Sequence, residues 1–237
     1  MIKADPAEKI RNTSCFSEEN FAKLKEIMYE NVFPAGSHLF WEGDPADKLY
    51  FLHKGRVRIT KATDDGKRLV IYMHQEGDLF GQMDSFHESA HFFSAEILED
   101  ATVGIIQHQD LEVLLWRHGG LAVEFIKWMG LMHRLTQTKL RDLMLFGKLG
   151  TLCSLLIRLG NTYGTEKDGR ILISKKLTNS ELADMIGTTR ESVNRILGDL
   201  KNAGAIFYED GHIVIQDLGY LRDTCHCENC PKAICRI

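Results

Sequence analysis

The sequence contains no apolar run approaching the ~18 residues that span a bilayer. It also has no Gly-rich phosphate-cradling loop, no HExxH pattern, and no coherent Ser-His-Asp or paired-carboxylate arrangement. These absences argue against a membrane-spanning protein, a nucleotide-hydrolysing enzyme, a zinc protease and a hydrolase. The ten histidines are scattered and form no ligand spacing. The opening Met1-Ile2-Lys3-Ala4-Asp5 lacks the basic segment, apolar core and cleavage site of a secretory signal, so the expected location is a reducing cytoplasm in which disulfides are transient. A basic excess is missing too. The net charge of -4 rules out a uniformly polycationic nucleic-acid binder but leaves room for a local basic surface.

What is present is concentrated at the end of the chain. Four of the six cysteines fall in Cys225-His226-Cys227-Glu228-Asn229-Cys230-Pro231-Lys232-Ala233-Ile234-Cys235. That stretch has no period of 2 or 3.6, so no strand or helix face accounts for it, whereas clustered thiolates suit a soft metal or an iron-sulfur centre. Three readings stay open on the residues alone: an iron-sulfur cluster, a structural zinc site closed by further Cys or by His226, and a redox pair of free thiols. Cys15 is isolated, and Cys153 lies among apolar helix residues as a core thiol.

At 237 residues the chain suggests two modest domains. Residues 1 to about 30 read as an amphipathic helical lead-in with Phe21, Leu24 and Ile27-Met28 on its apolar side. From Val32 to about Gln107, short extended runs alternate with turns. They include His38-Trp41, Leu49-Leu52, Arg56-Lys61, Arg68-Met73, Phe92-Leu98 and Thr102-Ile106, with Asp64-Asp65-Gly66-Lys67 closing a hairpin. The pattern predicts a barrel of roughly eight strands, the jelly-roll number.

Residues 109–148 read as helical, with a break at Gly119-Gly120. Leu121, Phe125, Trp128, Met132 and Leu135 step by four, three, four and three, a heptad seam expected to pair with a second copy; packing against the barrel is the alternative, and the additional apolar residues Ile126, Met129 and Leu131 suggest that the helix does some of both. Continued, the seam reaches Asp142, whose charge needs a partner; Arg141 and Lys139 stand nearby.

A helix through Leu152, Leu155-Leu156 and Leu159 is predicted to stop at Gly160, with a polar loop over 161–170 before the strand Ile171-Ile173. Thr178-Asn179-Ser180-Glu181 is a capping box. The helix it starts, the turn at Gly187 and a second helix capped by Thr189 make a helix-turn-helix, followed by a hairpin wing at 205–215. Arg190, Glu191, Asn194 and Arg195 share the exposed N-terminal side of the second helix, with Thr189 and Ser192 beside them. In a DNA major groove Arg190 can bond a guanine edge, Glu191 a cytosine amine, and Arg195 a base or phosphate.

Pro34-x-Gly36, Glu42-Gly43-Asp44, Gly55, Gly77-Asp78 and Gly81 together resemble the cyclic-nucleotide-binding-type sensor barrel of the CRP/FNR regulator family. The run Thr189-Arg190-Glu191-Ser192-Val193-Asn194-Arg195 resembles that family's recognition helix, which reads TGTGA-type half-sites. The resemblance implies an α+β fold. Its expected parts are a barrel with N-terminal helix (1–108), a dimerisation helix (109–148), a winged helix-turn-helix domain (149–220) and a cysteine tail (221–237). It also implies double-stranded DNA, a second copy and RNA polymerase as partners. The family's nucleotide pocket uses Gly-Glu and Arg-Ser, where this chain has Gly81-Gln82 and Phe93-Ser94. Because a buried phosphodiester needs a charged partner, no cyclic nucleotide is expected.

Cys227-x-x-Cys230-Pro231-x-x-x-Cys235 resembles the oxygen-sensing FNR branch that carries a [4Fe-4S] cluster at the C-terminus. That resemblance implies Cys227, Cys230 and Cys235 as ligands, with Asp142 as a non-cysteine fourth and Cys225 as an alternative. The expected function is that of an oxygen-responsive, non-enzymatic transcription regulator, mainly an activator of anaerobic or nitrate respiration genes.

Overall fold

The computed structural model describes residues 11–82 and 89–237, so the start of the expected lead-in, residues 1–10, lies outside the described residues. The chain divides into two compact units, and the described residues fall into Arg11–His133 and Arg134–Ile237.

In the first unit a 3-10 turn (Asn12–Cys15) precedes helix α1 (Glu18–Glu26). Ser17 caps α1 by accepting from the Asn20 amide, and Leu24 on its apolar side is fully buried. Six strands follow: β1 (Tyr29–Phe33), β2 (His38–Phe40), β3 (Lys48–Ala62), β4 (Arg68–Gln75), β5 (Leu79–Gly81) and β6 (Ser94–Gln107). All pair antiparallel in the order β1-β6-β3-β4, with β2 on β6 and β5 on β3.

The expected eight strands are six among the described residues. The runs 49–52 and 56–61 are one strand, β3, and most of 92–98 joins 102–106 in β6. Register shifts between Leu52 and Val57 bend β3 without ending it. Gly55 sits in that bend at φ +99°, where a Cβ would come within 2.8 Å of the Ala101 Cβ.

Strand alternation splits the buried side chains between two clusters. Phe40, Tyr50, Leu52, Val57, Ile97 and Val103 fill the barrel. Leu49, Phe51, Leu79 and Ile106 face outward onto Leu24, onto Leu111 of α2 (His108–Arg117), and onto Leu121, Phe125 and Trp128 of α3 (Gly119–Leu145).

This second cluster decides between the two uses of the seam. Leu121, Phe125 and Trp128 take the alternative, packing against the barrel within the chain rather than against a second copy, and Leu135 is buried as well. The sheet's outward face offers them apolar area that a period-3.5 pattern cannot distinguish from a helical partner. The free apolar side of α3 carries Val123 and Ile126, 53% and 66% exposed, then Met129, Leu140 and Met144.

The second unit begins with α4 (Gly147–Tyr163), followed by β7 (Gly164–Lys167) and β8 (Arg170–Ile173). Helices α5 (Asn179–Ile186) and α6 (Arg190–Asn202), strands β9 (Ile206–Glu209) and β10 (His212–Ile215), and helix α7 (Leu218–Thr224) complete it. Its sheet order is β7-β8-β10-β9. Two expectations fail here. Helix α4 runs past Gly160, because that glycine serves close packing: a Cβ there would stand 3.2 Å from Ile215 Cδ1. The expected polar loop forms the edge strand β7, turned back by Asp168 and Gly169, both at positive φ.

Candidate nucleic-acid interface and candidate metal centre

The capping box is formed as expected: the Thr178 hydroxyl accepts from the Glu181 amide while the Glu181 carboxylate accepts from the Thr178 amide at 2.8 Å. Gly187, left-handed at φ +62°, turns the chain from α5 into α6, and Thr189 caps α6 by accepting from the Ser192 amide. Leu182, Ile186, Val193, Ile196, Leu197 and Leu200 are buried, which fixes the opposite face of α6 outward. Arg190, Glu191, Asn194 and Arg195 are all exposed on it.

The predicted residues are not equally free. Asn179 Nδ2 donates to Asn194 Oδ1 at 3.1 Å, tying the first helix to the reading helix. Ser192 is half-buried, and its hydroxyl accepts from Lys148 Nζ at 3.4 Å. Asn179 and Lys148 were missed by sequence reasoning; a capping-box residue one helix away carries no signal that it props the reading face.

The tail is built by local turns. Helix α7 ends at Cys225, whose thiol points back to the Arg222 carbonyl. His226 and Asn229 take positive φ, and one turn from Pro231 closes on the amides of Ile234 and Cys235, both at 2.9 Å. The result brings Cys225, Cys227, Cys230 and Cys235 to one small cavity, shared with Thr138, Arg141, Ser154 and Arg158. Cys15 belongs to the other unit, and Cys153 is a fully buried α4 thiol, as expected.

The thiols differ in character. Burial pushes Cys225 up to about 12, with Cys227 adding to the effect, and pushes Cys153 to about 12 as well. Cys235 is raised by burial while the Arg158 charge opposes it. The Asn229 amide donates to Cys227 Sγ at 3.4 Å.

Asp142 is not among the cavity's lining side chains, but it is gripped by residues that are. It is 2% exposed, and Arg158 Nη2 donates to its Oδ2 at 2.7 Å, where the Ser154 hydroxyl also donates. Arg141 Nη2 donates to Oδ1 at 2.8 Å, and its Nη1 pairs with Glu228 of the tail. Arg141 was foreseen as Asp142's partner; Arg158 was not, although a lone cation in the apolar run Leu155-Leu156-Ile157-Arg158-Leu159 was the signal. Lys139, the other cation foreseen there, is half-buried; burial, with the Arg158 and Arg236 charges adding, pulls it down to about 7.

The donor set suits a soft metal or an iron-sulfur group in chemistry, and the Arg141 and Arg158 guanidiniums that line the same cavity suit an anionic one. Among the described residues no three His, Cys, Asp or Glu side chains are grouped closely enough to hold a metal ion as they stand, so ligation requires the tail thiols to draw closer together.

Residues 30–118 match the cyclic nucleotide-binding domain model, and residues 151–224 match the Crp-like helix-turn-helix domain model. The chain is 41% identical to the anaerobic regulatory protein of Bacillus subtilis (strain 168), over 95% of this chain and 96% of that one. It is 26% identical to the CRP-like cAMP-activated global transcriptional regulator of Mycobacterium tuberculosis (strain CDC 1551 / Oshkosh), over 83% and 88% of the two chains. Among solved structures, a CooA mutant from Carboxydothermus hydrogenoformans superposes with a TM-score of 0.75 at 18% identity, covering 93% of this chain and 97% of the other. FixK2 from Bradyrhizobium japonicum superposes at 0.70 with 22% identity, covering 84% and 97%. No described helix is long and apolar enough to cross a membrane.

Proposed function

The chain belongs to the CRP/FNR family of DNA-binding transcription regulators, and on that premise we propose that it is an oxygen-responsive member. In this reading it acts as a homodimer in the cytoplasm and mainly activates genes of anaerobic or nitrate respiration. The observation that carries the reading is the gathering of Cys225, Cys227, Cys230 and Cys235 around one cavity beside Arg141 and Arg158. The name of the 41% identical relative, an anaerobic regulatory protein, points the same way.

Cys227, Cys230 and Cys235 hold a [4Fe-4S] cluster, with Asp142 as fourth ligand and Cys225 as the alternative. When bound, such a cluster supplies an oxygen-labile cross-link between the tail and the end of α3. The chain's own residues prepare that link. Arg158 donates to the Ile234 carbonyl at 3.2 Å while holding Asp142, and Asn161 donates to the Cys235 carbonyl at 2.8 Å, so the tail is already docked on α4. Arg141 reaches Asp142 and Glu228 at once. Cationic side chains in this position lower the cost of burying negative charge.

In the dimer, each Arg190-Glu191-x-x-x-Arg195 face reads one TGTGA-type half-site, the two about 34 Å apart on a palindrome. RNA polymerase is the partner that turns occupancy into transcription. The cluster has only to favour the binding geometry by a few kcal/mol to act as a switch.

The test is anaerobic purification followed by an absorption spectrum, iron and sulfide assay, and a shift assay on a TGTGA palindrome. Brown protein that binds the duplex and loses both properties in air is expected. Colourless protein holding zinc, with DNA binding indifferent to oxygen, would instead establish a zinc-stapled tail; metal-free protein that answers only to thiol oxidants would establish a redox switch.

A further inference from the structure

Both carboxylate oxygens of Asp142 are already in use. Arg141 donates to Oδ1 twice, from Nε at 3.1 Å and from Nη2 at 2.8 Å. Oδ2 accepts from the Ser154 hydroxyl and from Arg158 Nη2, the latter at 2.7 Å. Arg141, Ser154 and Arg158 line the cavity of the four tail cysteines, and Asp142 does not. To turn an oxygen into that cavity, the carboxylate must part from one of its own donors. The Thr151 hydroxyl donates to the Asp142 carbonyl at 2.7 Å, which holds the backbone and leaves the movement to the side chains.

The two oxygens differ in how readily a donor can leave. Ser154 and Arg158 are buried, and Arg158 is also tied to the Ile234 carbonyl at 3.2 Å. Arg141 is placed otherwise. Its Nη1 pairs with Glu228, whose side chain is 64% exposed and which directly follows Cys227. Its guanidinium lies over the Phe146 ring, 5.5 Å from the centroid, and the same ring meets His226 of the tail at 5.8 Å. A guanidinium presents five N–H donors in one rigid plane, so it can trade one carboxylate for another while it stays on the ring. Release of Oδ2 strands a buried donor. Release of Oδ1 strands nothing, because Glu228 takes the charge.

Resting on the cluster reading above, we propose that Arg141 and Glu228 are positioning residues for the fourth ligand. Arg141 keeps Oδ1 of Asp142 in the metal-free chain and passes to Glu228 as the tail closes, and Oδ1 is the oxygen then turned to the cavity. The exchange is ionic: no covalent bond forms or breaks in it, and no proton moves. Because Glu228 is joined to Cys227 by one peptide bond, the tail that brings the thiols also brings the acceptor for Arg141. Asp142 is released only where the tail is in place.

The test follows anaerobic [4Fe-4S] assembly in the full-length protein, from ferrous iron and sulfide, by absorbance, with Mössbauer spectra to establish whether one iron carries an oxygen ligand. Glu228→Gln should slow assembly about 5- to 50-fold, since the departing guanidinium loses its charged acceptor. Glu228→Asp should recover most of the rate. In an Arg141→Met background Glu228→Gln should have no further effect. Thermal midpoints of metal-free Glu228→Gln and parent should coincide, because an exposed ion pair adds little to stability. An unchanged rate in Glu228→Gln overturns the exchange while leaving the cluster reading intact, and so does a slowing matched by a lower metal-free midpoint. Faster assembly in Ser154→Ala, with Glu228→Gln unchanged, assigns the release to Oδ2 and overturns it as well. A parent protein that assembles no cluster, or one without an oxygen-bound iron, fails the reading itself and the exchange with it.

Discussion

Arg158 and Asp142 form a buried ion pair at 2.7 Å, and the same guanidinium donates to the carbonyl of Ile234, 76 positions further along the chain. One side chain therefore serves both the end of α3 and the tail. Arg158→Met leaves a 2% exposed carboxylate with Arg141 and Ser154 alone. The expected loss is on the order of 3 kcal/mol, and the double variant Asp142→Asn/Arg158→Met should recover part of it, because the stranded charge is then gone. Urea denaturation of metal-free protein measures both.

The tail thiols are expected to sort by reactivity. Burial lifts Cys225 and Cys153 to about 12, so neither forms thiolate near neutrality. In metal-free, reduced protein at pH 8, iodoacetamide should modify half-buried Cys227 and Cys230 well before those two, as peptide mass mapping will record. In anaerobic protein, Cys227→Ser, Cys230→Ser, Cys235→Ser and Asp142→Ala should each lose iron, and Cys225→Ala should retain it. Retention by Asp142→Ala together with loss by Cys225→Ala would exchange the two assignments.

On the reading helix, Arg190→Ala and Glu191→Ala remove free, exposed groups and should each weaken operator binding by about 1–3 kcal/mol, with specificity relaxed at the base concerned. Asn194→Ala should act differently. Its amide oxygen accepts from Asn179, so part of its effect is loss of a prop between α5 and α6, and Asn179→Ala should reproduce that part. Fluorescence anisotropy on matched and single-mismatch duplexes separates the two patterns.

How much was legible follows from where the signal was local. The Thr178-Glu181 capping box, the Gly187 turn and the Thr189 cap each depend on residues within one helical turn, and α5 and α6 start where those residues place them. The gathering of Cys225 to Cys235 was legible for the same reason. Strand count was not: nothing local distinguishes a bulge that bends β3 at Gly55 from a turn that ends it. The partner of α3 was legible only as a choice between a second copy and the barrel, because Leu121, Phe125 and Trp128 have the period of a coiled-coil seam and find their apolar partner in the outer side of the sheet. Arg158 was hidden for a further reason: its partner is 16 positions away on another helix.

The corrected α3 surface predicts which substitutions separate association from folding. Ile126→Glu alters a side chain that is 66% exposed in one chain, so the monomer should fold normally while the dimer dissociates. Leu121→Glu places a charge in a fully buried position and should unfold the first unit instead. Light scattering after gel filtration, paired with thermal melts, gives the comparison. A dimeric Ile126→Glu protein would move the interface off this face.

The first unit should also weaken as pH falls through the histidine range. Desolvation lowers His91 and His108 in the folded chain below the ordinary 6.5, although Asp44 and Asp47 pull His91 upward and Lys48 pushes it down. Above 6.5 both states are neutral and the effect vanishes. Below it the unfolded chain takes up protons that the folded chain resists, so stability is lost as pH drops toward the folded-state value and then levels off. Denaturation midpoints from pH 7.5 to pH 5 should therefore fall, and His91→Phe should flatten the slope.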